Sequence, residues 1–166
     1  MALYLVRHAS AGHRYADTRH DDERPLDDKG RHQAQRLADH LIGRTAPPVR
    51  IVSSPALRCT QTVAPLARLL DTDVTILCEI GEGADLGAAW RRLETLADLD
   101  GDAVACSHGD LIPEVIHRAR GRGMTSHGGS GCAKGSVWRL EWDGERFTDG
   151  YYEASPPTIG AFEHHE

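Results

Sequence analysis

The chain has 166 residues, a formal net charge of −6 and no apolar run long enough to span a bilayer. A chain of this length buries about two thirds of its unfolded surface around one core, so we expect a single domain that needs no disulfide staple. The acidic balance excludes a broad basic surface and argues against general binding to nucleic acid or to an anionic membrane. A site for an anionic ligand would have to be local.

The cysteines and the first residues of the chain predict the cellular location of the protein. The four cysteines show no C-x-x-C spacing, and the first apolar run follows Met1 without a basic leader. Reduced, mostly buried thiols and a cytoplasmic location are therefore expected. The domain is expected to cover residues 1–155, with residues 156–166 as a flexible tail.

Strands and helices alternate along the sequence. Short apolar runs predict strands, and apolar residues at helical spacing predict helices. In chain order, these segments are a strand at 2–6, a helix at 28–43, a strand within 47–54, a helix at 56–70, a strand at 73–80, a helix at 85–99, a strand at 102–107 and a helix at 111–121.

The C-terminal part of the chain completes the predicted fold. The glycine-rich segment 121–136 is predicted as a mobile loop, and 136–152 as a hairpin that turns at Asp143-Gly144. Strands separated by helices imply an α/β fold. We expect a three-layer sandwich with a mainly parallel central sheet, helices on both faces and an antiparallel C-terminal edge hairpin.

Charged and titratable side chains follow four of the predicted strands. Arg7 and His8 end the first strand, Arg58 lies in the first helical turn after the second, and His108 follows the fourth. The third strand ends near Glu79 and Glu82. Open parallel sheets bind ligands outside the carboxyl ends of their strands, so we expect two arginines, two histidines and a carboxylate to meet at one rim. On an acidic protein, this arrangement predicts a focused anion site.

Two polar segments beside these residues are given structural roles. The acidic segment 21–28 (DDERPLDD) is predicted mainly as a solvated loop and helix cap, which could also border the site and repel a second negative group. Ser53 and Ser54 are predicted to cap backbone groups.

Three motifs in this order resemble the histidine phosphatase superfamily, which has the phosphoglycerate mutase-like fold. They are LVRHASAG at 5–12, SSPALRCTQTVAPLA at 53–67 and SHGD at 107–110. Residues 1–155 would then form a histidine phosphatase domain, similar to small SixA-type phosphatases and to phosphatase domains found beside a Nudix hydrolase. Ala9 stands where the family usually has glycine, which alters the pocket wall and leaves catalysis plausible.

The resemblance and the residue chemistry imply the same mechanism. Guanidinium forks on Arg7 and Arg58 can bind phosphoryl oxygens, His8 would be the nucleophile that forms a phosphohistidine, and His108 would donate to the transferring oxygens. No metal or other cofactor is expected. The acid of the family follows the third strand in an apolar-x-Glu pattern, which both Glu82 and Glu79 fit. Glu82 is favoured because it lies between two glycines, and Glu79 is the alternative.

The predicted function is a metal-independent phosphatase that hydrolyses a phosphomonoester or a phosphoramidate through a phosphohistidine on His8. The predicted partner is a small phosphorylated substrate, a nucleotide or a phosphohistidine protein. A phosphomutase is the first alternative, disfavoured because the chain lacks room for the large insertions of many mutases. A catalytically idle phosphate-binding module is the second.

Overall fold

The computed structural model describes residues 1–14 and 18–155, and within these ranges seven strands form one sheet. The strands are β1 (Ala2–Arg7), β2 (Arg50–Ser53), β3 (Val74–Ile76), β4 (Ala103–Ser107), β5 (Thr125–His127), β6 (Val137–Trp142) and β7 (Phe147–Glu153). The predicted tail at 156–166 lies outside the described residues.

Four α-helices and two 3₁₀ helices connect the strands within the described ranges. The α-helices are α1 (Asp28–Leu41), α2 (Leu57–Leu69), α3 (Leu86–Ala97) and α4 (Leu111–Gly121), and the 3₁₀ helices are Thr18–Glu23 and Cys78–Ile80. The start of α1 shows why these segments are helical. The side chain of Asp27 accepts a hydrogen bond from the backbone N–H of Gly30, as an N-cap does. None of the described helices is long and apolar enough to cross a membrane.

The sheet has the order β3-β2-β4-β1-β6-β7-β5. The first four strands in this order are parallel, and β6 runs antiparallel to both β1 and β7. The antiparallel hairpin β6-β7 therefore extends the sheet beyond β1, the last of the four parallel strands, as predicted. The segment 121–136, predicted as a loop, contains β5, which pairs in parallel with β7 and forms the outer edge.

Alternate residues of each central strand face opposite layers, which makes the fold a three-layer sandwich. Leu3 and Leu5 of β1 pack with α3 and α4, whereas Tyr4 and Val6 pack with α1 and α2. Both helical layers are thus anchored on β1, and the predicted fold class is confirmed.

The third predicted strand is shorter than expected. The sequence predicted a strand at 73–80, but β3 ends at Ile76 and the chain then forms the 3₁₀ helix Cys78–Ile80. Ile76 is exposed at the sheet edge, while Leu77 and Ile80, three residues apart, are both buried. This spacing matches one helical turn rather than the alternation of a strand.

Candidate active site

The three strands β2, β4 and β1 lie side by side, and their carboxyl ends bring the predicted site residues together. His8 and His108 face each other with ring centroids 5.5 Å apart and an interplanar angle of 64°. Arg58 reaches the same point from α2, with its Nη2 atom 3.4 Å from Nδ1 of His108. The predicted convergence at one rim is therefore present.

The His8 imidazole is held in one orientation. Its Nδ1 atom lies 2.8 Å from the carbonyl oxygen of Ala9, and because a carbonyl can only accept, Nδ1 carries the proton. The lone pair of the neutral ring is then on Nε2. Burial, together with the charges of Arg58, His108 and Arg7, lowers the pKa of His8 to about 4. The ring is therefore neutral at physiological pH.

The Arg7 guanidinium is clamped between two loops. Its Nη1 atom donates to the carbonyl oxygen of Cys132 at 2.7 Å. On the other side it lies against Gly109, where a Cβ atom would come within 2.7 Å of the Arg7 Cζ atom. The glycine that follows His108 thus leaves the space that Arg7 needs.

The Arg58 side chain is almost completely buried, with 1% of its surface exposed. Its Nη1 atom donates to the backbone oxygen of Asp21 at 2.9 Å, and its Nη2 atom donates to Oε2 of Glu82 at 2.8 Å. Thr62, one turn further along α2, links this arginine to Ala9, the residue that follows His8. Its hydroxyl donates to the Arg58 carbonyl and accepts from the Ala9 N–H.

The Nε atoms of Arg7 and Arg58 are buried and have no hydrogen-bond partner among the described residues. Buried guanidinium N–H groups normally find an acceptor, since an unpaired one is costly. Two such donors beside a pair of histidines fit an oxyanion, whose oxygens can accept from both.

His108 is oriented from its far side. Its Nε2 atom lies 2.8 Å from Oγ of Ser54 and 3.5 Å from Sγ of Cys59. Ser54 also accepts from the backbone N–H of Ala56, so the predicted cap is present but is only part of its role. With Nε2 engaged in this way, the Nδ1 edge of the ring faces Arg58.

Glu82 is the predicted acid that contacts the cluster. Besides its bond to Arg58, it accepts from Nη2 of Arg14 at 2.7 Å. Burial works to raise the pKa of Glu82, but the hydrogen bond and charge of Arg14, with the charges of His108 and Arg58, hold it below its usual value. Glu79 lies in the 3₁₀ helix Cys78–Ile80, and within the described ranges no hydrogen bond or ion pair joins it to the cluster.

The segment 21–28 matches its prediction only in part. Asp27 caps α1 and four of the eight residues are exposed, as expected for a solvated loop and helix cap, but Asp21, Arg24 and Leu26 are buried. The Asp21 carboxylate lies 3.1 Å from Nε of Arg24, 3.4 Å from Nη2 of Arg58 and 3.2 Å from Nη1 of Arg14. The segment was predicted to border the site, and Asp21 does contact it directly. The contact is a network of ion pairs with arginines.

Arg14 and Thr62 were not named from the sequence, which gave Ser54 only a capping role and Asp21 only a place in a segment that could border the site. Ser54 directly follows a strand end, and Thr62 lies four residues after Arg58, so strand-end position and helical spacing could have indicated these two. No comparable local signal marks Arg14. In the part of the chain that the structure describes, no three His, Cys, Asp or Glu side chains are grouped as a metal site.

The fold and the site together define an α/β protein in which Arg and His side chains meet at the carboxyl ends of parallel strands. Residues 3–98 match the sequence profile of the histidine phosphatase superfamily (branch 1), and the chain belongs to this superfamily. The predicted family is therefore confirmed.

Two curated relatives show the range of this likeness. A protein of Mycolicibacterium smegmatis named 8-oxo-(d)GTP phosphatase is 37% identical over 163 residues, which cover 93% of this chain and 48% of the relative. The transcription factor tau 55 kDa subunit of Saccharomyces cerevisiae is 36% identical over 90 residues, 48% of this chain and 20% of that protein. The chain thus spans less than half the length of either relative.

Solved structures show the same fold. The protein histidine phosphatase SixA, complexed with tungstate, superposes with a TM-score of 0.72 at 21% identity, covering 93% of this chain and 95% of SixA. A mycobacterial glucosyl-3-phosphoglycerate phosphatase with bound VO₃ superposes with a TM-score of 0.62 at 17% identity, covering 95% and 98% of the two chains.

Proposed function

We propose that the protein is a phosphatase that hydrolyses a phosphomonoester or a phosphoramidate through a phosphohistidine on His8. The observation that carries this proposal is the His8 ring, whose Nδ1 proton is held by the Ala9 carbonyl while Nε2 keeps its lone pair. A neutral imidazole beside two guanidinium groups with buried Nε donors is suited to attack a bound phosphoryl group.

The reaction divides into two displacements. The phosphoryl oxygens accept hydrogen bonds from Arg7 and Arg58, and Nε2 of His8 attacks phosphorus as the bond to the leaving group breaks. Glu82 donates a proton to the leaving oxygen or nitrogen. Water then attacks the phosphorus of the phosphohistidine, which releases phosphate and restores neutral His8.

Fixed cationic donors stabilise the charge that develops on the transferred group. Arg7 and Arg58 are positioned before substrate binds, and His108 donates from Nδ1 when that atom is protonated. Because these donors provide the positive charge, the proposed reaction uses no metal and no other cofactor.

Two substrate classes are supported by the relatives. The mycobacterial relative is named for a nucleotide substrate and SixA for protein phosphohistidine, so a nucleotide or a phosphohistidine protein is a reasonable substrate beside a small phosphate ester. The phosphomutase alternative stays disfavoured for the lack of large insertions. The cytoplasmic location stays a prediction from the sequence.

Trapping the intermediate tests the proposal. Rapid quenching without acid, with substrate labelled in its phosphoryl group, should leave one label on His8, stable in alkali and labile in acid. His8→Ala should trap none. Arg58→Ala should keep the nucleophile but lower kcat/KM by about 10²- to 10³-fold, because the target is poorly held. Label on His108, or an active His8→Ala enzyme, would show that the wrong histidine has been assigned.

The second candidate is an idle phosphate-binding module. It is favoured by the likeness of half of the chain to a transcription factor subunit. An assay with p-nitrophenyl phosphate distinguishes the two, since a module that only binds would retain vanadate without turning over this reactive ester. A panel of phosphometabolites and phosphohistidine proteins would then identify the substrate.

A further inference from the structure

Four charged side chains form a closed ring at the mouth of the site. Glu82 accepts from Nη2 of Arg14 at 2.7 Å and from Nη2 of Arg58 at 2.8 Å. Asp21 closes the ring, with Oδ2 lying 3.2 Å from Nη1 of Arg14 and 3.4 Å from Nη2 of Arg58. We call these four residues the charge ring. Glu82 is the member whose carboxylate lies on the buried arginine while remaining one-third exposed.

The Arg58 guanidinium has two edges, and they are occupied differently. The Nη1 atom is bonded to the backbone of Asp21, which belongs to the folded framework. The other edge consists of Nε, which has no partner among the described residues, and Nη2, which holds Glu82. A bidentate oxyanion takes two neighbouring N–H groups of one edge. An oxyanion that binds this edge therefore competes for Nη2 with Glu82 and with the more distant Asp21 carboxylate.

We infer that Glu82 is an internal anion on Arg58 that the substrate phosphoryl group displaces, and that the displaced carboxylate takes up a proton from solvent while Arg14 holds its other oxygen. This inference rests on the proposed phosphatase function. Substrate binding would thereby produce the protonated acid that the leaving group needs, and the proton would pass from solvent to Glu82 and then to the departing atom.

The charges around Glu82 explain why displacement favours protonation. The groups that face it are Arg14, Arg58, His108 and Asp21, and Asp110 lies behind it, accepting from the Gly83 N–H. In the free protein the nearby cations favour the ionised carboxylate. A bound dianion offsets Arg58 and adds negative charge beside Glu82, so that only Arg14 remains as a direct cationic partner and the neutral acid is favoured.

Arg14 is then a positioning residue. Its two terminal nitrogens contact different acids, Nη1 on Asp21 and Nη2 on Glu82. Because Asp21 is buried and bonded to Arg24, it provides a fixed anchor for the half-exposed Arg14 side chain. Arg14 can therefore hold Glu82 beside the leaving group after the substrate has displaced Glu82 from Arg58.

Calorimetry with sulfate tests the inference. Sulfate resembles the phosphoryl group but stays fully ionised near neutral pH, so any proton taken up on binding goes to the protein. Titration at about pH 6 in buffers of different ionisation enthalpy gives the number of protons bound per sulfate. The variants are Glu82→Gln and the matched control Glu79→Gln, which removes the same charge from the same β3–α3 connection without a contact to Arg58.

Wild type and Glu79→Gln should take up clearly more protons per sulfate than Glu82→Gln. Any uptake that remains in Glu82→Gln belongs to the site histidines. Glu82→Gln should also bind sulfate about tenfold more tightly at neutral pH, equivalent to about 1.4 kcal/mol, because the Glu82 carboxylate no longer competes for Nη2. Equal uptake and equal affinity in wild type and Glu82→Gln would overturn the inference. Failure of sulfate to bind any variant would instead contradict the proposed site.

Arg14→Gln tests the positioning role. Loss of this cation should shift the pH range of sulfate-linked proton uptake upward, because Glu82 loses a partner for its ionised form. Turnover of alkyl phosphates should fall more than that of p-nitrophenyl phosphate, since only the former need the acid. An unchanged uptake profile with an equal loss for both substrates would show a purely structural role for Arg14.

Discussion

The Arg7 guanidinium lies directly over the α-carbon of Gly109, so close that a Cβ atom at this position would approach the arginine Nε atom to 2.8 Å. Gly109 follows the second site histidine, and Arg7 precedes the first. Two strand ends that are about a hundred residues apart in sequence are thereby fitted to each other at the candidate site. The absence of a side chain at Gly109 is what permits this fit.

We expect Gly109→Ala to lower kcat/KM by about 10²-fold, because the added methyl group displaces one of the two buried guanidinium donors. Gly121→Ala is the matched control, since nothing lies within 4 Å of a Cβ atom there. Steady-state kinetics and thermal unfolding of both variants check the prediction. A Gly109→Ala enzyme with unchanged kcat/KM would mean that the position of Arg7 does not matter for turnover.

The titration of His8 gives a pH prediction. Burial and the charges of Arg58, His108 and Arg7 lower the pKa of His8 to about 4, so the ring loses its lone pair by protonation only below that pH. With p-nitrophenyl phosphate, kcat/KM corrected for substrate ionisation should therefore stay high down to about pH 4. NMR titration of the imidazole, assigned with His8→Gln, measures the pKa directly. A midpoint near 6.5 would contradict a buried, neutral nucleophile.

Asp21 should contribute to stability in a pH-dependent way. Burial works to raise its pKa, but the hydrogen bond and charge of Arg24, with the charges of Arg58 and Arg14, lower it. Because the pKa of Asp21 is lower in the folded state, its ion pairs stabilise the protein fully above the usual Asp pKa of about 3.9. This stabilisation is lost as the pH falls through the pKa of the folded state.

Asp21→Asn should accordingly lower the free energy of unfolding by about 3 kcal/mol at neutral pH, because it removes the anion that contacts buried Arg24 and one of the two that contact buried Arg58. The difference from wild type should shrink below about pH 4. Denaturant unfolding at several pH values measures this difference in the free energy of unfolding. The control is Asp39→Asn, which changes an exposed aspartate on α1 and should have little effect. A difference that does not depend on pH would rule out the ion pairs as its source.

Removal of metal ions by a chelator tests whether the guanidinium groups are sufficient for catalysis. Activity should survive prolonged dialysis against EDTA, because Arg7, Arg58 and His108 supply the positive charge that a metal ion would otherwise provide. Metal analysis of the dialysed protein should accompany the assay. Loss of activity that a divalent ion restores would point to a metallophosphatase.

Local features of the chain could be read correctly from the sequence. Helix α1 begins after its Asp27 cap and buries Ala34, Leu37, Ala38 and Leu41, because an N-cap and a repeat of about 3.6 residues depend only on near neighbours. Strand ends are equally local. Arg7 and His8 had to stand at the end of β1 because they directly follow its apolar residues.

The tertiary structure decided the features that join distant segments. Thr125–His127 became a strand only because β7 offered an open edge, and nothing in a glycine-rich segment announces such a partner. Arg14 and Glu82 are 68 residues apart, yet they share an ion pair above Arg58. A charged side chain in a loop has no periodicity to reveal which distant charge it will meet. Its partner follows from how the helices and loops pack around the sheet, which local sequence does not specify.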